Sequence, residues 1–309
     1  MSKTKFTPAL SSLPLIHQGK TRDTFETNSP DTLLIVATQR LSTHNVIHLS
    51  EVPYKDQVLT ALTIFWLTSL LGKVGIPHHL VAFGTDIYTY LPGKRSDYPA
   101  DLHYRAIIVK KLSMVPVEFI YRGYLAGSLY KGFHSKGLPN PYGITLERGL
   151  PLMTQFPAPI FTPTDKSETD EPLDAQETSM RYPDPSRVSL QTFMLTRNHL
   201  RSRGVELVDS KFEVGIDQFG IATIADEIAT PDSSRFCEFS AIEPGKEPPW
   251  FDKQIARDEA ERVWDKAEKC PLKFSSEIIQ KLSDTYLGIC SQITGDGLQS
   301  FQRQYLEIS

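Results

Sequence analysis

The sequence predicts an α+β fold, with antiparallel strands early in the chain and most helices late. Three observations carry this. The apolar stretches up to residue 125 are short, rich in β-branched and aromatic residues, and separated by turn residues. A long hairpin pattern over 205–228 turns at Asp217-Gln218-Phe219-Gly220. Helical spacing, apart from one stretch near residue 60, lies at 187–204, 253–269 and 275–294, so strands and helices do not alternate as a βαβ array requires.

A chain of 309 residues that is 40% hydrophobic and 23% charged reads as an ordinary globular protein. Its formal charge of −4 gives no general attraction to nucleic acid or to an anionic membrane, so neither partner is expected. The three cysteines, Cys237, Cys270 and Cys290, form no C-x-x-C pair, which argues against a disulfide framework or zinc site and suits a reducing cytoplasm. No signal-peptide stretch opens the chain, and no run is read as approaching a membrane span.

Residues 13–40 read as two strands around the turn Thr27-Asn28-Ser29-Pro30-Asp31. Gly19-Lys20-Thr21 imitates the end of a phosphate-binding P-loop, but Pro14 stands where that loop needs its other glycine. A strand follows instead of a helix aimed at the phosphates. Leu59, Leu62, Phe65, Trp66 and Leu70 then follow helical spacing, closed by Gly72 or Gly75. Residues 78–83, 87–91, 104–112 and 115–125 read as strands, and Ser128 opens a helix. Residues 138–187 hold nine of the 22 prolines and are acidic from 165 to 177; they read as a functional loop. The helix at 187–204 stops at Gly204. The hairpin, a polar loop at 230–236, a charged helix and a last helix complete the chain.

Four stretches concentrate polar groups. Gly19, Lys20 and Arg22 offer a close backbone approach and two cations on one strand face, or a solvated strand edge. Arg122 followed by Gly127-Ser128 suits a phosphate seat, or a strand end with a capping serine. Alternation puts Asp209, Lys211 and Glu213 on one face, and the return strand brings Asp226 and Glu227. Such carboxylates suit Mg²⁺ with phosphate oxygens, or a salt-bridge ladder. Asp232, Ser233, Ser234, Arg235 and Lys253 form the fourth group. Together they point to anionic ligands and a divalent cation, the signature of an ATP-using enzyme.

Taken in order, "GKTRD", "ATQRLS", "VLTALTIFW", "VPVEFIYRGYLAGS", "FTPTDKSE", "VDSKFEVG", "ADEIATPDSSRF" and "FDKQIARD" resemble the SAICAR synthetase family of purine biosynthesis. The resemblance implies a two-lobed fold with an ATP cleft between lobes: a nucleotide lobe over 1–118 and a substrate and metal lobe over 119–309. It implies a ligase that uses ATP to phosphorylate the carboxylate of carboxyaminoimidazole ribotide (CAIR), which L-aspartate then attacks. Gly19, Lys20 and Arg22 would meet the ATP phosphates, with Lys110, Met114, Val115 and Val117 bordering adenine. Glu213 and Asp226 would hold Mg²⁺, and Lys211, a catalytic residue with Asp232 and Lys253, would support the nucleotide. Ser42, Asn45, Arg122, Ser128, Ser234 and Arg235 would bind substrate, and Asp232 and Lys253 would line the CAIR and aspartate end. Members of the family also form homo-oligomers.

The chain departs from the family pattern at Gln39 and Asn45, where aspartates are usual, and at His44, where an aromatic is usual. After Lys166 it has an acidic run (Glu171, Asp174, Glu177) without the family's histidine, and Cys237 replaces a tryptophan. A ligase amidating a different carboxylate therefore stands as the alternative. A protein kinase does not fit, because neither H-R-D nor D-F-G occurs. A non-catalytic binder fits poorly, because Lys20, Glu213 and Asp226 all remain.

Overall fold

The computed structural model describes residue 10 and residues 13–264 and 268–307. Its strands are β1 Leu15–Gln18, β2 Arg22–Glu26, β3 Thr32–Ala37, β4 Arg40–Thr43, β5 Val46–Glu51, β6 Leu80–Ala82 and β7 Ala106–Lys110. They continue as β8 Ser113–Met114, β9 Val117–Tyr124, β10 Gln155–Phe161, β11 Thr164–Asp165, β12 Val205–Ile216, β13 Ala222–Ala225 and β14 Ser234–Glu238. The chain divides into two compact units: residues 1–65, 79–111 and 252–309, and residues 66–78 and 112–251. The chain passes between these units at 65/66, 78/79, 111/112 and 251/252.

The first unit holds an antiparallel sheet in the order β1-β2-β3-β7-β6 and a separate β4-β5 hairpin. Phe25, Leu34, Val36 and Ile108 from this sheet pack with Ile87, Leu91 and Leu102. Residues 87–91, read as a strand from their β-branched and aromatic content, instead continue a 3₁₀ helix, Gly84–Tyr90. Gly84 turns the chain at φ 58°, and the buried positions Gly84, Ile87 and Leu91 then recur every three to four residues, which is a helical rather than a strand period. The helix Ser276–Thr294 starts on a Ser275 side-chain cap and ends at Gly295 in the left-handed conformation.

The second unit is built on β12, whose 12 residues pair with β8, β9, β13 and β14. All these pairings are antiparallel, as are those of β10 and β11 with β9. The helix Pro183–Arg201 lies against β12; it begins with proline in its first turn, and Gly204 past its end has φ 75°.

Residues 138–187 are not the irregular loop that their prolines suggest. They contain β10, β11 and the helix Ala175–Arg181, which Asp174 caps. Proline is tolerated because β10 is an edge strand, and Pro157 and Pro159 fall where its register with β9 breaks, between Gln155 and Ile160. The polar loop expected at 230–236 is likewise shorter, since Ser234 already starts β14.

One expectation is corrected by composition. The helical stretch Lys55–Val74 has 20 residues and a window of mean hydropathy 1.4, long and apolar enough to cross a membrane, with 56% of that window buried in the protein.

Candidate active site

In the first unit, β1 and β2 are joined by a tight turn. The Gly19 amide donates to the Arg22 carbonyl at 2.7 Å, and a Cβ on Gly19 would lie 2.7 Å from that same oxygen, so only glycine fits. Thr38 braces the turn through its amide (2.9 Å) and hydroxyl (2.8 Å), both donating to the Thr21 carbonyl. Arg40 donates to the Gly19 carbonyl at 2.8 Å and to both oxygens of buried Asp23 at 3.1 and 2.6 Å. The turn is thus fixed before any ligand arrives, with Lys20 exposed at its tip and Arg22 half-buried.

Lys20 Nζ donates to Asn45 Oδ1 at 2.6 Å. Asn45 and His44 connect β4 to β5 at φ 66° and 48°, the two-residue hairpin turn that asparagine accepts readily. Elsewhere in this unit, Ser42 is buried on β4, Lys110 is exposed at the end of β7, and Lys253 is buried. Burial, then the nearby charges of His44 and Lys253, lowers the His48 pKa below its ordinary value.

In the second unit, Arg122 on β9 and Arg235 on β14 are both register partners of Asp209 on β12. Asp209 Oδ2 accepts from Arg122 Nη1 at 2.7 Å and from Arg235 Nη1 at 2.6 Å. Arg122 also donates to the Thr162 hydroxyl at 2.9 Å and to the Ser128 hydroxyl at 3.2 Å. Gly127, at φ 56°, leaves room for Arg235: a Cβ there would lie 2.6 Å from the guanidinium carbon. Two guanidiniums around one carboxylate make a fixed seat of net positive charge, suited to phosphate. Ser234 is buried and donates to the Ser210 hydroxyl at 2.8 Å, and the Asp232 amide donates to the Thr230 hydroxyl at 3.3 Å.

Two residues along the same face of β12, Lys211 donates to Glu118 at 2.7 Å and lies 3.4 Å from Glu213. Lys166 forms a second ion pair with Glu213. Asp226 follows β13 directly, at φ 60°, next to Ala225, the register partner of Glu213. It is therefore not on the strand as expected, but in a turn position. Burial opposes the charge on Lys211, yet Glu213, Glu118 and Asp226 outweigh it and raise the Lys211 pKa well above its ordinary value.

No group of three or more His, Cys, Asp or Glu is placed to hold a metal by itself among the described residues. Glu213 and Asp226 are hard oxygen donors on adjoining backbone positions. They fit the partial protein shell that Mg²⁺ takes when phosphate oxygens supply the rest.

Met114, 41% exposed on β8, sits opposite Gly215, where a Cβ would come within 3.1 Å of its sulfur. Val115 and Val117 are buried, and the Val115 amide is used by the Val214 carbonyl at 2.9 Å. Ligand contact from either valine would therefore come through other main-chain atoms.

The structure thus gathers Arg122, Ser128 and Arg235 into one cluster, and Lys211, Glu213 and Asp226 into another. Sequence reasoning missed Glu118, Lys166, Thr162 and the bracing pair Arg40–Asp23. Glu118 was findable, because it shares the alternating face of β9 with Arg122. The other contacts join segments far apart in sequence and carry no local signal.

The SAICAR synthetase family pattern matches residues 15–272. A phosphoribosylaminoimidazole-succinocarboxamide synthase from Cupriavidus metallidurans is 35% identical over 313 residues, covering 97% of this chain and 100% of that protein. A SAICAR synthase from Saccharomyces cerevisiae, solved in complex with SAICAR, superposes with a TM-score of 0.80 at 30% identity, covering 96% of this chain and 98% of that one. A SAICAR synthetase solved in complex with ADP shares the fold at a TM-score of 0.64 and 21% identity. By sequence and by fold, the chain belongs to the SAICAR synthetase family.

Proposed function

We propose that the protein is an ATP-dependent ligase that joins L-aspartate to the carboxylate of CAIR, yielding SAICAR, ADP and phosphate. The observation that carries this reading is the face of β12, where an arginine-lined anion seat around Asp209 and a carboxylate–lysine cluster around Lys211 stand two residues apart. One suits a ribotide phosphate; the other suits a metal-bound nucleotide.

A carboxylate is a poor electrophile. Transfer of the γ-phosphoryl group of ATP to one carboxylate oxygen releases ADP and supplies a leaving group. The aspartate amine then attacks the carbonyl carbon, the carbon–oxygen bond to phosphate breaks, and the amide forms as the nitrogen loses a proton. Such chemistry depends mostly on positioning and charge neutralisation. In this reading the braced turn at Gly19, with Lys20 and Arg22, receives the ATP phosphates. Met114 and the strand edges near Lys110, Val115 and Val117 border adenine. Arg122, Ser128 and Arg235 grip the ribotide phosphate, while Ser42, Asn45, Ser234, Asp232 and Lys253 line the remaining substrate surfaces. Glu213 and Asp226 would hold Mg²⁺, with Lys211 beside them; the bound ion would neutralise charge on the phosphate oxygens.

The test is ADP release from Mg·ATP and CAIR with and without L-aspartate, with mass identification of the product. SAICAR formed only when aspartate is present supports the reading. ADP release that ignores CAIR but responds to another carboxylate would replace the acceptor.

A further inference from the structure

We infer that Lys166 is a tethered stand-in for the divalent cation, neutralising Glu213 until the metal displaces it. The inference deepens the proposed function and rests on the assignment of Glu213 as a metal ligand.

Glu213 is largely covered, with its side chain 15% exposed, and shares its surroundings with Glu118 and Asp226. Several carboxylates so close together need compensation when no metal is bound. Lys211 supplies one cation, but it leans toward Glu118, at 2.7 Å against 3.4 Å to Glu213. The second cation is Lys166, whose ammonium meets the other oxygen of Glu213. Each acid of the pair Glu118 and Glu213 thus has a lysine of its own.

The two lysines are anchored differently. Lys211 lies in the middle of β12, with its amide donating to the Ser233 carbonyl at 3.0 Å, and cannot leave without disturbing the sheet. Lys166 lies just past the two-residue strand β11, in a turn that Asp165 braces. Asp165 Oδ1 accepts from the Ser167 amide at 3.0 Å, the Ser167 hydroxyl at 2.6 Å and the Glu171 amide at 3.0 Å. The backbone of the turn therefore persists whether or not the Lys166 side chain, 32% exposed, keeps its partner. A flexible four-carbon stem lets the ammonium swing away while the turn stays in place.

A divalent ion on Glu213 puts two positive charges where Lys166 puts one, and the two cations repel each other at that distance. Occupation by Lys166 and by metal are thus mutually exclusive at Glu213. The apparent metal dissociation constant is then the intrinsic one divided by the fraction of molecules in which Lys166 is off the site. In exchange, the carboxylates stay arranged in the metal-free protein.

The experiment measures Mn²⁺ binding, by the electron paramagnetic resonance signal of free Mn²⁺, at saturating ADP. It compares the full-length chain with Lys166→Gln, Lys166→Arg and Glu213→Gln. Lys166→Gln should bind Mn²⁺ roughly fivefold tighter, the equivalent of a partly exposed ion pair of about 1 kcal/mol. Lys166→Arg keeps the cation and should stay near the unaltered chain, which separates loss of charge from loss of fold. Glu213→Gln should lose most binding. If Lys166→Gln binds Mn²⁺ no tighter while Glu213→Gln still loses it, the stand-in role is overturned and the metal assignment survives. Unchanged binding in Glu213→Gln removes the metal assignment and this inference with it.

Discussion

Arg122 Nη1 donates to Asp209 Oδ2 at 2.7 Å, and both side chains are almost fully buried, at 4% and 6% exposure. The pair links two strands, and the same oxygen also receives Arg235. Asp209 therefore holds two arginines in position while leaving the cluster with net positive charge. Removing it should cost far more stability than an ordinary ion pair, because two guanidiniums lose their partner. Asp209→Ala is expected to destabilise the protein by about 3–5 kcal/mol, read from denaturant unfolding. A loss under 1 kcal/mol would mean that the pair is solvated.

Arg122→Ala is expected to weaken binding of the phosphorylated acceptor by about 1.5–3 kcal/mol, the range for a hydrogen bond to a charged group. ATP binding should stay nearly unchanged. Equal loss for both ligands, measured by calorimetric titration, would make Arg122 a structural residue.

Arg40 is a positioning residue for the Gly19 turn, since it bonds both the Gly19 carbonyl and Asp23. Arg40→Lys keeps the charge but cannot make these bonds together. KM for ATP should rise about tenfold, which is one hydrogen bond's worth near 1.4 kcal/mol, while KM for CAIR stays put. A matching rise in both constants would contradict a local role.

The raised pKa of Lys211 fixes the sign of a pH effect. A lysine whose folded pKa exceeds its unfolded value of about 10.4 contributes stability that is fully present below that value and lost only as pH climbs through the folded one. The stability difference between the unaltered chain and Lys211→Met should thus be the same at pH 7 and pH 9. A difference that shrinks within that window would show that the carboxylate cage does not hold the charge.

Thiol reactivity tests the packing. Cys237 and Cys290 are buried and Cys270 is exposed, and burial pushes the Cys290 thiol up to about 12. Under native conditions a maleimide should modify Cys270 alone, and all three cysteines after denaturation. Rapid native modification of Cys290 would show that the helix Ser276–Thr294 opens easily.

Much of this was legible in the sequence because the signals were local. The hairpin of β12 and β13 announced itself by alternation and by the Asp217–Gly220 turn, and the helix Ser276–Thr294 by its period. Asp209, Lys211 and Glu213 could be placed on one face for the same reason. What failed was also local. Aromatic content made 87–91 look like a strand, until Gly84 and core packing imposed a helical period. Proline content hid β10, because an edge position forgives missing donors. The bracing of Lys20 by Asn45 and of Glu213 by Lys166 spans 25 and 47 residues, and no window along the chain reveals such pairs.

The central claim is that ATP activates the carboxylate of CAIR itself. It is tested most directly with CAIR labelled by ¹⁸O in that carboxylate, turned over with Mg·ATP and L-aspartate, followed by mass analysis of the released phosphate. Activation as an acyl phosphate leaves one labelled oxygen on each phosphate. Unlabelled phosphate released alongside SAICAR would contradict the account.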